Sequence, residues 1–428
     1  MDTHTEHRVW KTTSPYPFEA FGAGLAEYTA TGKPPAQGNQ DVRYALRLQK
    51  ERLESRSLLM KYEFTPRGHF ADAPGPGREW RDDLYTSRME YRTCRMTRSF
   101  CRTQSGSQPR RLYESSRNCI FYQTITDANH YDSMEDEPYV CPSCGAPGRI
   151  GGLQSGCPYC GTFFQMSDLF PKTTSFYFVE DVGGTQTEVK GSMKTTMRLC
   201  MAVFFLVSLF HMLTQGTFSI PMLIWQTVLS LLLGAGCGYL LYSLKLGAQL
   251  IRGTGKALPK IAHTTGSSAR FVEQMRQYSP EFSYEYFSGK AVSLLRMILF
   301  SKDAEKLSVY AGPPLNGRFD SIVDVSYSGA CALQHFGVQG ETCSVTVDVF
   351  LDTYTDQGSR IREKEERFRV TLCRNIRRPI NLHFSIQAIK CRSCGASFDA
   401  AVQKYCPHCA TPVSLAEEDW IVTAVSRI

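Results

Sequence analysis

The strongest constraint on this chain is a run of 46 residues, from Leu199 to Leu244, that contains no Asp, Glu, Lys or Arg. A helix needs about 20 apolar residues to cross the hydrocarbon core of a bilayer. The run therefore predicts a two-helix transmembrane hairpin at 199–244, with a tight turn between Gln215 and Pro221. A single buried helix of a soluble protein is the alternative, but the run is too long for it.

The excess positive charge of the chain surrounds this run. The sequence has 48 Lys and Arg against 41 Asp and Glu, a formal net charge of +7. Between Glu188 and Glu273 there is no acidic residue, and eight cations occur: Lys190, Lys194, Arg198, Lys245, Arg252, Lys256, Lys260 and Arg270. Without these eight the remainder is close to neutral. The charge distribution thus argues against a nucleic-acid partner.

The same cations predict an orientation. They lie on both sides of the hairpin and are absent from its turn, and such residues stay on the cytoplasmic side. We expect a multi-pass protein of the cytoplasmic (inner) membrane with both termini in the cytoplasm and anionic lipids near the cations. The first residues, MDTHTEHRVW, lack the apolar core of a secretory signal. A GxxxG pattern at Gly234 and Gly238 predicts close helix packing, within the hairpin or in a homo-oligomer.

Half of the 16 cysteines form two quartets with the same spacing. The first consists of Cys141, Cys144, Cys157 and Cys160, and the second of Cys391, Cys394, Cys406 and Cys409. A CxxC turn directs two thiolates to one side of a metal ion, and two such turns complete a tetrahedral site. The intervening loops of 12 and 11 residues are typical of compact zinc ribbons. We therefore predict two structural Zn²⁺ ions.

Other uses of these cysteines are weaker hypotheses. A redox CxxC would not need a partner pair nearby, and disulfides are disfavoured in the cytoplasm. Iron in a rubredoxin-like site would use the same ligands. The eight other cysteines show no ligand spacing. Of these, Cys343 and Cys373 are expected to be small core residues, and a reactive thiol at Cys94 or Cys101 is an alternative to a structural role.

The hairpin separates two arms of mixed α+β character. We place an N-terminal α+β domain at 1–140, a first ribbon with its following strand at 141–182, and a C-terminal domain at 262–428 with an inserted ribbon at 391–409. In the C-terminal domain, apolar residues recur with helical spacing before Phe300, and CSVTVDVFLDTY alternates as a half-buried strand does. The predicted fold class is α+β with an antiparallel sheet.

The C-terminal arm resembles a known family. The segment SPEFSYEYFSGKAVSLLRMILFSKDAEKLSVY, with strands ending in ERFRVTLCRN, is similar to the Tim-forty-four-like domain of the mitochondrial import-motor anchor and of bacterial proteins. The matching residues are Pro280, Glu281, Phe282, Phe287, Phe300, Asp419 and Trp420. The resemblance covers about 268–428. It implies a curved antiparallel sheet wrapped by helices, like the nuclear-transport-factor-two cone, with an apolar pocket.

The N-terminal arm repeats part of this plan. A helical segment at 41–60 precedes strand-like runs at 84–100 and 118–125, and a ribbon is again followed by a strand, at 174–179. Pro and Gly in ADAPGPGREW mark a loop at 71–80. The arm is either a degenerate copy of the C-terminal domain or shares only its ribbon.

A second basic pattern lies in the N-terminal arm. Five arginines, at 88, 92, 95, 98 and 102, would share one face of a helix and could bind phosphate or anionic lipid. The alternatives are a solvated face, or a strand in which this spacing has no meaning.

Catalytic motifs are absent from the sequence: there is no P-loop, GxGxxG, GxSxG or HExxH. We expect a non-catalytic membrane-anchored scaffold, tether or ligand-sensing protein whose Tim-forty-four-like domain binds lipid, hydrophobic peptide or a partner protein. An enzyme that uses the pocket of the cone, with Asp348 and Asp352 as candidate acids, is one alternative, although both side chains are expected to be exposed on their strand. A membrane-tethered nucleic-acid binder is the other.

Overall fold

A computed structural model describes residues 17–66, 71–72, 79–103, 108–180, 186–215, 220–280 and 282–428. Residues 73–78 of the loop predicted at 71–80, residues 216–219 of the predicted turn and Glu281 lie outside these residues, as does the start of the chain. The ends of the predicted loop, 71–72 and 79–80, belong to short strands, so the loop prediction was wrong there. Residues 1–180 and 261–428 belong to one compact unit, and residues 181–260 to a second. Both arms thus contribute to a single unit. The domain boundaries placed within it from the sequence stay predictions.

The N-terminal arm consists of helices and antiparallel strands. Its helices are α1 (Pro17–Thr31), α2 (Gln40–Glu54), α3 (Ile150–Ser155) and α4 (Met166–Leu169). Its strands are β1 (Leu58–Pro66), β2 (Ala71–Asp72), β3 (Glu79–Arg81), β4 (Tyr85–Arg102), β5 (Arg110–Ala128), β6 (Pro138–Val140), β7 (Pro147–Arg149) and β8 (Lys172–Glu180). The main sheet has the order β1-β4-β5-β8.

The helix predicted at 41–60 is shorter than expected. The Asn39 side chain accepts a hydrogen bond from the Val42 amide (2.9 Å) and begins α2. The helix ends at Glu54. Ser57 adopts a positive φ of 53°, which is incompatible with a continuing right-handed helix. Residues from Leu58 onward alternate between buried and exposed, as a strand with one buried face requires. The helical prediction was therefore wrong beyond Glu54.

The C-terminal arm has the same plan. It follows α5 (Gln186–Gln215) and α6 (Ile220–Arg276), and contains α7 (Tyr284–Phe300), β9 (Ile322–Gln339), β10 (Thr342–Asp356), β11 (Ile361–Asn375), β12 (Ile389–Lys390), β13 (Ser397–Phe398) and β14 (Ile421–Arg427). The sheet order is β9-β10-β11-β14, antiparallel throughout. The predicted strand CSVTVDVFLDTY is confirmed, since Val345, Val347 and Val349 are buried.

The two sheets have matching topology. In each, four long strands follow one another across the sheet in chain order, and a ribbon lies between the third and the fourth: β5, ribbon and β8 in one arm, and β11, ribbon and β14 in the other. In both arms a helix precedes the first strand. The shared order favours the hypothesis that one arm is a copy of the other, although the copy itself stays a prediction.

The arms share their hydrophobic cores. Val323, Tyr354 and Ile361 of the C-terminal arm pack into the cluster around Phe21, Phe121 and the other aromatic side chains of the N-terminal sheet. In return, Ala45 and Leu48 of α2 join the cluster formed by α7 and the C-terminal sheet. Ion pairs join the same two halves, such as Arg52 with Asp320 at 2.8 Å, 268 positions apart.

The second unit contains the predicted hairpin. The segments Met193–Thr214 and Leu223–Leu244 are helical, with mean hydropathy of 1.8 and 1.6, so both are long and apolar enough to cross a membrane. A Cβ atom on Gly234 would lie 2.5 Å from the Met201 Cα, and one on Gly238 would lie 2.6 Å from the Met197 Cα. The glycine face thus packs against the first helix of the same hairpin. A homo-oligomer through these glycines stays a prediction.

The α+β class with antiparallel sheets is confirmed, together with two apolar helices and two Cys₄ clusters. The cone-like curvature implied by the resemblance stays a prediction.

Candidate metal centres

The first cysteine quartet is positioned by two tight turns. Cys141 follows β6, and the Gly145 amide donates to the Cys141 carbonyl (2.9 Å). The second turn repeats this bond from Gly161 to Cys157 (2.8 Å). Gly145 and Gly161 have φ values of 77° and 71°, which glycine adopts without the steric cost of a Cβ. The turn chemistry predicted from the sequence is therefore present.

The four sulfur atoms of this quartet fit a tetrahedron. The Sγ atoms of Cys141 and Cys160 are 3.7 Å apart, and those of Cys144 and Cys157 are 3.8 Å apart. A tetrahedral zinc site with Zn–S bonds of ~2.3 Å has S–S edges of about 3.8 Å. These separations are far too long for disulfides, whose S–S bonds are ~2.05 Å. The quartet is therefore arranged as a metal site.

The second quartet has nearly the same geometry. Its Sγ separations are 3.6 Å for Cys391 with Cys409 and 3.8 Å for Cys394 with Cys406. In both quartets all four sulfur atoms lie within 4.8 Å of one another. One position differs: where the other three turns have glycine, Ala410 adopts a φ of 59°. All eight cysteines predicted as ligands are thus brought together in two groups of four, each able to hold a metal ion.

Local hydrogen bonds tune these thiols. The Thr162 hydroxyl lies 3.3 Å from the Cys160 sulfur, and together with the Thr162 amide it lowers the pKa of that thiol to about 6. Thr411 does the same for Cys409, at 3.2 Å, with the pKa again about 6. Burial raises the pKa of Cys141 to about 12. In each ribbon one exposed cysteine is therefore poised as a thiolate, the form that binds metal.

The two ribbons are in contact. The Arg149 guanidinium donates to the Gly395 carbonyl (3.0 Å), and its other nitrogen pairs with Asp136 at 2.8 Å. Arg149 precedes the second turn of the first ribbon, and Gly395 closes the first turn of the second ribbon. This contact could not be predicted from the sequence, because the two residues are 246 positions apart.

The arginine pattern at 88–102 lies on a strand, so the helical interpretation was wrong. Arg98 is buried on β4, with its Nε 3.1 Å from Asp324 Oδ2. This contact is an ion pair, and the hydrogen bonds to the carboxylate come from Tyr62 and Gln49, at 2.6 and 2.7 Å. Arg95, on the same strand, is exposed. The arginines therefore have different environments, and Arg98 joins the two arms rather than offering charge to a ligand.

Other polar side chains also serve the fold. Asp348, expected to be exposed in its strand, is buried and accepts two hydrogen bonds from Arg369, at 2.8 and 3.0 Å. The prediction of exposure was wrong because the facing residue of β11 supplies a guanidinium. Cys343 is buried as expected. Cys94 and Cys119 face each other across β4 and β5 with sulfur atoms 3.3 Å apart, a pair that only the strand register reveals.

The cavity between the helices and the sheets is small. It is lined by Leu46, Tyr62, Phe178 and Arg296, among others, and has a volume of about 20 Å³. A single water molecule needs roughly 10–15 Å³ measured in this way. In this conformation the cavity has room for a water molecule but not for a lipid chain.

Comparison with models of protein families, with curated proteins and with solved structures found no match. The fold and the sites define the class of the protein: an α+β protein with two Cys₄ clusters compatible with zinc and two helices apolar enough to span a membrane. The Tim-forty-four-like resemblance of 268–428 stays a prediction.

Proposed function

We propose that the chain is a membrane-anchored, non-catalytic binding protein, a scaffold, tether or ligand sensor whose zinc-ribbon unit is held at the cytoplasmic face of the membrane. In this proposal the C-terminal arm is a Tim-forty-four-like domain, and the partner is a protein or a small ligand bound at the surface of the unit.

The observation that carries the proposal is that both arms build one unit. The hairpin is inserted between the two halves of this unit, so it must leave and return on the same side of a membrane. Two crossings meet this requirement, and one crossing would not. The cations that flank the hairpin favour the cytoplasmic side for the unit.

The composition of the metal sites supports two structural zinc ions. Four thiolates complete a tetrahedral shell and leave no position for substrate or water, which is the arrangement of structural rather than catalytic zinc. Such thiols persist in the reducing cytoplasm. Each ribbon connects the third and fourth strands of its sheet, so the metal would fix the connection that brings the last strand into place.

The environment of the buried carboxylates supports binding rather than catalysis. Asp324 and Asp348 are held by arginines, and Glu363 accepts hydrogen bonds from Arg117 and Tyr113 at 2.6–2.7 Å. Carboxylates paired in this way hold the two arms and the sheets together, which is a structural role. A lipid or peptide inside the helix–sheet core would need a larger cavity, so we place the binding site outside this core.

The test uses the full chain with a small tag at each terminus, expressed in cells. We expect the protein to stay in the membrane pellet after alkaline extraction, and both tags to be cleaved by protease only after the cells are opened. Purified in detergent, it should contain two zinc ions per chain. A tag cleaved from outside intact cells would refute the orientation, and fewer than two zinc ions would refute the double ribbon.

A further inference from the structure

A cleft of about 390 Å³ opens where the two ribbons meet. It is lined by residues 136–138, which precede the first ribbon, and by residues 388–392 and 411–414, at the two ends of the second ribbon. Tyr85 and the segment 381–385 also line it. The volume falls within the usual range for small-molecule sites, roughly 300–1,000 Å³. The contact between the ribbons therefore creates a cleft that neither ribbon would form alone.

His383 lies in the lining of this cleft with unused hydrogen-bonding capacity. Its side chain is 95% buried, from a residual exposure of 5%, and neither ring nitrogen has a hydrogen-bond partner within the described residues. Tyr85, Tyr139 and Phe170 surround the ring, with Tyr139 stacked at 5.7 Å. A buried polar group without a partner destabilises the fold. A neutral imidazole offers one donor and one acceptor, so a ligand that supplied their complements would remove this destabilisation.

Two charges of opposite sign are also available. Glu137 is half-buried in one wall, and its side chain makes no hydrogen bond or ion pair with the part of the chain that the structure describes. Burial raises its pKa, and the nearby Lys390 ammonium offsets part of that rise. Lys390, which also lines the cleft, is exposed and likewise has no ion-pair partner within 4 Å among the described side chains. The cleft thus presents one carboxylate and one ammonium group that lie near each other but form no direct ion pair within the described structure.

The remaining charges of the cleft are already paired. Asp136 is bound by Arg149 at 2.8 Å, Glu418 accepts from Arg392 at 2.7 Å, and Glu417 accepts from the Asn375 amide at 2.9 Å. The uncharged part of the lining is mixed: it includes the polar residues Asn381 and Thr411 and the apolar residues Pro138, Ile389 and Val413. A ligand would therefore meet two charges of opposite sign, a buried imidazole and a partly apolar surface.

We propose that this cleft binds a small zwitterion, a molecule with an ammonium group, a carboxylate and an apolar body, such as an amino acid or a dipeptide. Glu137 would bind the ammonium group, Lys390 the carboxylate, and His383 a polar group of the ligand at the base of the cleft. The inference deepens the proposed function by naming the chemistry that a ligand-sensing unit would recognise. A purely anionic ligand would fit poorly, because Glu137 would repel it.

The test is equilibrium dialysis of the full chain in detergent, loaded with zinc. The probes are an equimolar mixture of the twenty amino acids and a set of apolar dipeptides, and bound molecules are measured by mass spectrometry. We expect one or a few probes to be retained. The N-acetyl and the amide derivatives of the best probe, which lack the ammonium and the carboxylate charge respectively, should each bind at least tenfold more weakly.

Variants assign the contacts. Glu137→Gln should abolish the preference for the probe over its N-acetyl derivative, because the carboxylate that binds the ammonium group is gone. Lys390→Gln should abolish the preference for the probe over its amide derivative, because the ammonium group that binds the carboxylate is gone. His383→Phe keeps the aromatic packing and should weaken binding at least tenfold. Glu135→Gln, an exposed neighbour outside the lining, is the matched control and should bind as the parent does. Two zinc ions per chain serve as the check that each variant is folded.

Two results would overturn the proposal: retention of no probe above the detergent blank, or retention that Glu137→Gln, Lys390→Gln and His383→Phe leave unchanged. Either would still leave the zinc content and the membrane extraction as they were. Failure of this site is therefore distinguishable from failure of the membrane-anchored scaffold.

Discussion

The buried pair of Arg98 and Asp324 gives the sharpest test of how the two arms are joined. Arg98→Met would remove the guanidinium 3.1 Å from the Asp324 carboxylate, a group that is only 3% exposed. Tyr62 and Gln49 would still donate to that carboxylate, but the carboxylate would lose its ion-pair partner. Removing one partner of a buried pair costs roughly 3–5 kcal/mol, because the other charge is left uncompensated. We expect a loss of unfolding free energy in this range.

The companion variants complete a double-mutant cycle. Asp324→Asn should also be strongly destabilising, since it leaves Arg98 buried without a counter-ion. The double variant should be more stable than the sum of the two losses predicts, by about 2 kcal/mol, because residues in direct contact couple by roughly 0.5–3 kcal/mol. Arg95→Met is the control on the same strand. Arg95 is exposed and bonded only to the exposed Ser116 hydroxyl in the described structure, so its loss should cost less than about 0.5 kcal/mol.

The assay is guanidinium unfolding of the full, zinc-loaded chain in detergent. Trp420, buried in the C-terminal core, reports the transition by fluorescence. If Arg98→Met cost no more than Arg95→Met, or if the two single losses simply added, the pair would not join the arms as argued.

Three further results are expected. Ala410→Gly should raise the unfolding free energy by about 1 kcal/mol in the same assay, since glycine relieves the positive φ of 59°, whereas Gly161→Ala should lower it. Cys144→Ser should reduce the zinc content from two ions to about one, measured by elemental analysis. His383 should make the protein less stable in acid, because burial, with Lys172 and Lys290 nearby, lowers its pKa to about 3 in the folded protein. Below the unfolded pKa of ~6.5 the unfolded chain binds more protons than the folded one. The free energy of unfolding should therefore fall by about 0.8 kcal/mol between pH 8 and pH 6. His383→Phe should remove that part of the decline.

Each of these expectations has a clear contrary outcome. A lower unfolding free energy for Ala410→Gly would mean that contacts of the Ala410 methyl group stabilise the fold by more than relief of the positive φ does. Loss of both ions in Cys144→Ser would mean that the ribbons bind metal as one unit rather than as two sites. An unchanged decline between pH 8 and pH 6 in His383→Phe would assign that decline to other groups.

The local features of this chain could be predicted from its sequence. The cysteine quartets follow from spacing alone, because both halves of each site lie within 20 residues, and the hairpin follows from a run without charge. Strands such as CSVTVDVFLDTY show their buried face directly, since alternation has a period of two. These signals act over short distances along the chain.

The contacts between the arms could not be predicted in this way. Whether Arg98 meets solvent or Asp324 depends on how two sheets pack, and helical spacing among the arginines pointed to the wrong element. His383 looked isolated in the sequence because its aromatic neighbours come from the other arm. Cys94 and Cys119 become a pair only through the register of β4 and β5. Long-range packing carries no periodic pattern, so it stays hidden in a single sequence.

The division of one folded unit between two arms also sets an order of events during synthesis. Arg52 emerges from the ribosome 268 positions before Asp320, which at 5–20 residues per second is a delay of roughly 13–54 s. In the proposed membrane arrangement the hairpin is inserted within that interval, before Val323, Tyr354 and Ile361 are available to complete the aromatic cluster of the first sheet. We therefore expect that a substitution in the hairpin that slows its insertion would first cause aggregation of the N-terminal half, although the sequence of that half is unchanged.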